Sequence, residues 1–320
     1  MHQLRYLASV AAEGSIRGAA RALALSQATV TQGLRELEAQ AGVPLLQRHA
    51  SGIVFTAAGR ELLQHAQQLL AQLRQAEDTL ARHRLQGAPQ RLAIAVTPWV
   101  AATLLPRLLP ALRAELPQVQ LEIFDGLSAL AYPKLRDGSL DLMVGRLASE
   151  ELLRGLQALP LFRYDMAVVA RRGHPQAAAR SIAELTDSDW VLNHGADEGA
   201  ALMHQLFGRH GVAPPPAHRI QLAHSPALIM ALVRRSDMLS YCPWPVLESD
   251  EYGQAAVQAL PLREPLGSNV VGIVRRAQEA PSHAAARFIA VFLAQIPLWA
   301  ASRVPELRRV MRSVDVLTAG

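Results

Sequence analysis

The chain has 320 residues, half of them apolar, with 18% charged and 5% aromatic side chains. That is ample for a buried core, too apolar for a disordered chain, and long enough for more than one domain. The formal net charge is +5 and Lys134 is the only lysine, so arginine carries the excess; it permits a polyanionic partner but does not require one.

The single cysteine, Cys242, rules out an intramolecular disulfide and fits a reducing compartment. MHQLRYLASVAAEGS has no long apolar stretch and meets Glu13 early, so no signal peptide is read there and a cytoplasmic location is expected. No membrane partner is expected either: the run FIAVFLAQIPLWAA is short and interrupted by Gln295 and Pro297.

From the N-terminus, Leu4, Leu7, Ala8 and Ala11 follow the spacing of an amphipathic helix. Gly14-Ser15 interrupts it, and Ile16, Ala19, Ala20 and Leu23 repeat it. Ser26 then caps a third helix with Val30, Leu34 and Leu37 inside, ended by Gly42 and Pro44. Three short helices with alanines at a crossing read as a helix-turn-helix. The leading half of the third helix carries Ser26, Gln27, Thr29, Thr31, Gln32 and Arg35. Amides, hydroxyls and a guanidinium facing out from such a helix can meet base edges in a major groove or phosphates beside it. The bland alternative is a solvated helix face; the three-helix context favours DNA. VPLLQRHASGIVFT reads as a small hairpin, or wing, turning at Ser51-Gly52, with Arg48 and His49 near the DNA backbone.

The stretch SIRGAARALALSQATVTQGLRELEAQAGVPLLQRHASGIVFTAAG resembles the N-terminal domain of the LysR-type transcriptional regulators. The resemblance rests on Ala19-Ala20, Leu23, Ser26-Gln27, Leu37-Glu38, Gly42, Leu45, Arg48, Thr56 and Gly59, in order and spacing. Three positions depart from the family's habit: Ala28 for proline, Leu46 for phenylalanine, and Ser51 for a basic wing residue. The last leaves the wing one positive charge short.

Thr56 can cap a long helix from Ala57 to about residue 86. Leu62, Ala66, Leu69, Leu73, Ala76 and Leu80 are spaced as a heptad seam, and Gly87 and Pro89 supply a stop. A lone rod with one apolar seam needs a partner. The resemblance implies a linker helix that pairs two subunits, and hence paired DNA half-sites and a homodimer, with a homotetramer as the larger assembly. RNA polymerase is a candidate further partner.

Beyond residue 90 come strand-like RLAIAV, helical residues 104–116, strand VQLEIFD, a helix-and-turn SALAYPKLRDG and strand LDLMVGR, a βαβαβ series. MAVVARR, WVLN, RIQLA, LSYCPW and NVVGIVRR are further strands; GAALMHQLFGRHG, PALIMALVRRS and HAAARFIAVFLAQI are helices. The resemblance implies an effector-binding domain built like a small periplasmic binding protein. The expected fold class is therefore α/β, with a helical winged helix-turn-helix head, a linker helix and a two-subdomain effector domain. The expected boundaries are 1–57 for the head, 58–87 for the linker, 88–163 with 266–300 for subdomain I, 164–265 for subdomain II, and 301–320 for an Arg-rich extension without assigned structure.

Ligands of α/β sheets gather at the carboxyl ends of strands. Thr97-Pro98 and Ser225-Pro226 each place a hydroxyl N-cap before a proline at the first helical position, an arrangement that suits an anion. Plain capping is the alternative reading of each. Thr97, Pro98, Trp99, Arg146, His194, Ser225 and Pro226 are the candidate effector residues, with the resemblance adding weight to the first three. Trp244 reads as a core or wall aromatic and Cys242 as an inert packed thiol. No Walker loop, GxSxG elbow, HExxH or metal-ligand spacing is present in the sequence. The expectation is a DNA-binding regulator with a small organic anion as effector, with no catalysis, cofactor or metal. A binding or transport protein is the alternative, and the N-terminal module argues against it.

Overall fold

The computed structural model describes residues 2–49, 52–84, 90–125, 128–194, 196–249, 256–277 and 279–317. The chain divides into two compact units, residues 1–89 with 133–140 and residues 90–132 with 141–320.

In the first unit, α1 (His2–Glu13), α2 (Ile16–Ala22) and α3 (Gln27–Ala41) enclose Leu7, Val10, Ala19, Val30 and Leu34. Ser15 and Ser26 cap α2 and α3 as expected, each hydroxyl accepting a backbone N–H at 3.0 Å. A Cβ at Gly33 would lie 2.6 Å from the Tyr6 ring, so glycine makes room on α3 for that ring of α1. The turn into α3 closes with the Leu25 N–H donating to the Ala20 carbonyl at 2.9 Å. This holds Ala24 at φ 54, the one non-glycine residue with positive φ among those described. β1 (Leu46–His49) and β2 (Gly52–Phe55) form the antiparallel wing, with Arg48 opposite Ile53; its tip at Ser51 lies outside the described residues.

α4 (Ala57–Arg84) has 28 residues, a rod of about 42 Å. The Thr56 hydroxyl accepts from the Gly59 N–H at 2.9 Å and donates to the Pro44 carbonyl at 2.8 Å. A Cβ on Gly59 would collide with the Leu45 carbonyl, so glycine lets the rod start against the wing. Leu62 packs on the head's core and Ala66 is fully buried, so the first seam positions serve the head itself. Leu69 is 49% exposed and Leu73 half-buried. The side chains of Ala76 and Leu80, and the stop at Gly87 and Pro89, lie outside the described residues.

From residue 90 on come β3 (Gln90–Val96), α5 (Pro98–Thr103), α6 (Leu105–Glu115), β4 (Val119–Asp125), α7 (Ser128–Arg136) and β5 (Leu142–Arg146). β3 lies parallel between β4 and β5, as the βαβαβ pattern requires. There follow β6 (Leu156–Arg171), β7 (Asp189–Leu192), α8 (Ala196–Gly208), β8 (Ile220–Leu222), α9 (Pro226–Arg235), β9 (Met238–Pro243), α10 (Trp244–Glu248), β10 (Val257–Ala259), β11 (Ser268–Arg276) and α11 (His283–Ala300). The sheet order is β4-β3-β5-β11-β6-β9-β7-β8. Two groups of parallel strands are thus joined by β6 and β11, which run antiparallel to each other. β6 spans 16 residues, pairing with β11 along its first part and with β9 further on.

Two expectations change here. α11 continues through Gln295 and Pro297 to Ala300, since a proline in the last turn removes one donor without ending the helix. By length and composition α11 could cross a membrane, yet Phe288, Phe292, Ile296 and Trp299 on one face are buried in the sheet's core. The Arg-rich extension is also structured. It forms α12 (Pro305–Arg312) and β12 (Val314–Val316), with β12 paired antiparallel to Phe162–Tyr164 of β6. Leu307, Val310 and Met311 of α12 are buried at helical spacing, and Arg107 and Glu306 form an ion pair at 2.6 Å.

Candidate functional site

Two surfaces bring the sequence-predicted residues together. On the first unit, Val30, Gly33, Leu34 and Leu37 are buried along one side of α3. That rotation exposes Gln27, Gln32 and Arg35 and half-exposes Thr31. With Ala28 these four line one surface depression. Thr31 donates to the Gln27 carbonyl at 2.8 Å, and the Gln32 amide donates to the Glu36 carboxylate at 3.0 Å. Gln32 is therefore held upright along the helix, with its amide oxygen as a further acceptor. Ser26 and Thr29 are exposed but bond each other at 2.7 Å, and Ser26 also accepts the Thr29 N–H. They form the helix start rather than the depression. The side chains of Arg48 and His49 lie outside the described residues. Glu38 is a further tie in this unit: its Oε1 accepts the N–H groups of Leu45 at 2.8 Å and Leu46 at 3.0 Å, binding α3 to the start of the wing.

The second surface is a cavity of about 140 Å³ in the second unit. It lies where the carboxyl ends of β3, β5, β7 and β9 converge, as strand topology predicts. Thr97, Pro98, Trp99, Arg146, His194 and Pro226 line it. Ser225 does not: its hydroxyl accepts the Leu228 N–H at 3.3 Å and is used in the cap. Thr97 behaves differently from the expectation of a hydroxyl cap: its side chain makes no cap bond, while its backbone N–H donates to the Val144 carbonyl at 2.8 Å and its carbonyl accepts the Ala101 N–H at 2.9 Å. Trp244 is neither wall nor core; it is 38% exposed and its indole donates to Glu248 at 3.1 Å.

Sequence reasoning missed Tyr164, Asn193, Glu198, Met230, Ser240 and Tyr241, which also line the cavity. Asn193 could have been found as the end of WVLN; the others come from strands and helices whose meeting is set by topology. Several are fixed by backbone bonds. The Ser240 hydroxyl donates to the Val191 carbonyl at 2.8 Å and the Tyr241 hydroxyl to the Leu266 carbonyl at 2.6 Å. The Tyr132 hydroxyl donates to the Arg146 carbonyl at 2.8 Å and accepts the Ala148 N–H at 3.0 Å, fixing the backbone that carries Arg146. The fully buried Trp99 backs the cavity, edge-on to Phe162 and Tyr164 with centroids 6.1 and 5.8 Å away.

The cavity's electrostatics centre on Arg146. Burial pushes the Tyr164 phenol up, and Arg146 pulls it partly back. Burial likewise raises the Tyr241 phenol to about 12, against the charges of Arg209 and Arg146. Burial first, and then Arg146, lowers His194 below the usual 6.5, with Glu198 opposing. Burial raises the Cys242 thiol to about 12, so it is a neutral thiol at physiological pH. Three buried polar atoms around the cavity have no hydrogen-bond partner: Trp99 Nε1, Asn193 Oδ1 and His194 Nδ1. Each such group costs roughly 1–3 kcal/mol, a cost that a bound polar ligand would relieve.

Known proteins share both parts. Residues 1–60 match the family model for the bacterial regulatory helix-turn-helix protein, lysR family, and residues 85–297 match that for the LysR substrate binding domain. α12 and β12 lie beyond the matched residues. The chain is 29% identical over 281 residues to the HTH-type transcriptional regulator PcaQ of Agrobacterium fabrum, covering 87% of this chain and 89% of that protein. It is 33% identical over 238 residues to the Hca operon transcriptional activator HcaR of Escherichia coli, covering 73% of this chain and 78% of that protein. A solved structure of a full-length OxyR variant from Pseudomonas aeruginosa superposes with a TM-score of 0.58 at 25% identity, covering 99% of this chain and 98% of that one.

Proposed function

Because the chain belongs to the LysR family, and is thus a DNA-binding transcriptional regulator with a ligand-binding domain, we propose that Gln27, Thr31, Gln32 and Arg35 read base edges in the major groove. Ser26, Thr29, Arg48 and His49 hold the flanking phosphates. The observation that carries this reading is the outward rotation of those four polar side chains while Val30, Leu34 and Leu37 are buried. Nothing in the head's core needs amides and hydroxyls there, whereas a groove does.

The α4 seam, whose Leu69 is exposed, pairs with the same helix of a second copy. Two heads then sit on two related half-sites, and two dimers form a tetramer. The cavity takes a small organic anion, with Arg146 as its charge partner. Binding favours one arrangement of the two strand groups joined by β6 and β11, and the rods transmit the change to the heads. The protein works in the cytoplasm, where it meets DNA and RNA polymerase, and carries out no catalysis of its own.

Selection of bound fragments from genomic DNA, followed by footprinting, tests the reading. Two protected half-sites, separated by a multiple of about 10 base pairs, are expected. A single short protected patch at all protein concentrations would oppose it.

A further inference from the structure

We propose that the cavity's ligand is a monoanionic carboxylic acid the size of one six-membered ring, bearing a hydroxyl that meets Asn193 and His194 while its carboxylate meets Arg146. The inference rests on the reading of this cavity as the ligand site and names the class of ligand.

Size is the first constraint. The cavity measures about 140 Å³, and an apolar protein cavity of about 150 Å³ holds benzene. One ring with small substituents fits; a nucleotide or a fused polycycle does not. Walls are the second. Ile229, Met230 and Val246 line the cavity and Trp99 backs it, which suits a flat apolar body.

Charge is the third constraint. Arg146 is the one cationic side chain among the lining residues, and its field reaches Tyr164, His194 and Tyr241. Glu198 lines the same cavity, so a second carboxylate on the ligand would face a like charge. One anionic group is matched and two are not.

The fourth constraint is the polar pair at the end of β7. Asn193 Oδ1 is an acceptor, buried and without a partner, and Nδ1 of His194, the next residue, is likewise buried without one. His194 is neutral at pH 7, because burial and Arg146 hold it low, so a ring nitrogen can accept. Acceptors call for a donor, and a ligand hydroxyl is the smallest. Both atoms are shielded from water, so the hydroxyl meets them through rotation of the two side chains about their own bonds.

The test uses the intact protein and isothermal titration with 3-hydroxybenzoate, 4-hydroxybenzoate, benzoate, phenol and phthalate. Occupancy is read in parallel from the rise of the thermal unfolding midpoint, since a ligand that binds only the folded chain stabilises it by mass action. At least one hydroxybenzoate should bind about tenfold or more tightly than benzoate, phenol or phthalate and should raise the unfolding midpoint most. Arg146→Gln should weaken benzoate and hydroxybenzoate alike. His194→Phe, with Asn193→Ala as a second variant should the first fail to fold, should erase the hydroxyl preference, so that benzoate and the hydroxybenzoates bind that variant alike. Equal binding of benzoate and both hydroxybenzoates, tighter binding of phthalate, or no binding by any of these acids overturns the ligand class. If neutral and cationic ring compounds also leave the unfolding midpoint unchanged, the reading of the cavity as a ligand site falls with it.

Discussion

Glu38 Oε1 accepts the backbone N–H of Leu45 at 2.8 Å, and that bond ties the DNA-facing helix to the wing. The same oxygen accepts from Leu46 at 3.0 Å, so one carboxylate satisfies two donors where the chain leaves α3. Glu38→Ala should destabilise the first unit by about 1.5–3 kcal/mol, the range for hydrogen bonds to a charged group. Glu38→Gln should lose less, since an amide oxygen can still accept. Urea unfolding followed by circular dichroism reads both; equal stability of all three proteins would refute this tie.

Ala24 stands in the left-handed region at φ 54, where a glycine would be unstrained. For an L-residue that conformation costs roughly 1–2 kcal/mol, while glycine gives back about 0.4–1 kcal/mol in chain entropy. Ala24→Gly should therefore stabilise the head by about 0.5–1 kcal/mol, with DNA affinity unchanged. A loss of stability would mean that the turn does not hold this geometry in solution.

The C-terminal extension contributes core. Leu307 is 3% exposed within the cluster that contains Trp99 and Trp299. Leu307→Ala should cost about 2–5 kcal/mol, against less than about 0.5 kcal/mol for the exposed neighbour Arg308→Ala. Thermal melts of the two variants separate a packed extension from an appended tail; matching melts would show the tail is not packed.

His194 sets a pH dependence. Its folded value lies below 6.5, so below that pH the unfolded chain binds a proton that the folded chain resists. Stability present above pH 6.5 is lost as the pH falls toward the folded value. His194→Gln should remove part of the decline seen between pH 7 and 5.5 in denaturant titrations. An unaltered slope in the variant would show that His194 does not carry it.

How much of this was legible beforehand depended on range. The three head helices and α4 announce themselves through caps and local spacing: Ser15, Ser26 and Thr56 each bond a backbone N–H within three residues. The βαβαβ series was legible for the same reason. The first half of β6 was not, because Pro160 interrupts it and its pairing with β11 depends on residues more than a hundred positions away. β12 has only three residues, and in α12 three arginines mask the three apolar residues Leu307, Val310 and Met311. The cavity was half legible. Strand ends pointed to Thr97, Arg146 and His194, but whether a hydroxyl caps its helix or remains uncommitted is decided by rotamer, and Ser225 and Thr97 took opposite paths.

The most direct test of DNA reading by α3 is fluorescence anisotropy with a duplex chosen by the parent protein, across a salt series, for the parent and for Gln32→Ala, Arg35→Ala. About six phosphate contacts give a log–log salt slope near −5 for the parent. Loss of two base-reading side chains should cost about 1–3 kcal/mol each in discrimination against a scrambled duplex. The variant should therefore bind the chosen and scrambled duplexes almost equally while keeping its fold by circular dichroism. A variant that grips its site with the parent's affinity and selectivity would contradict the account.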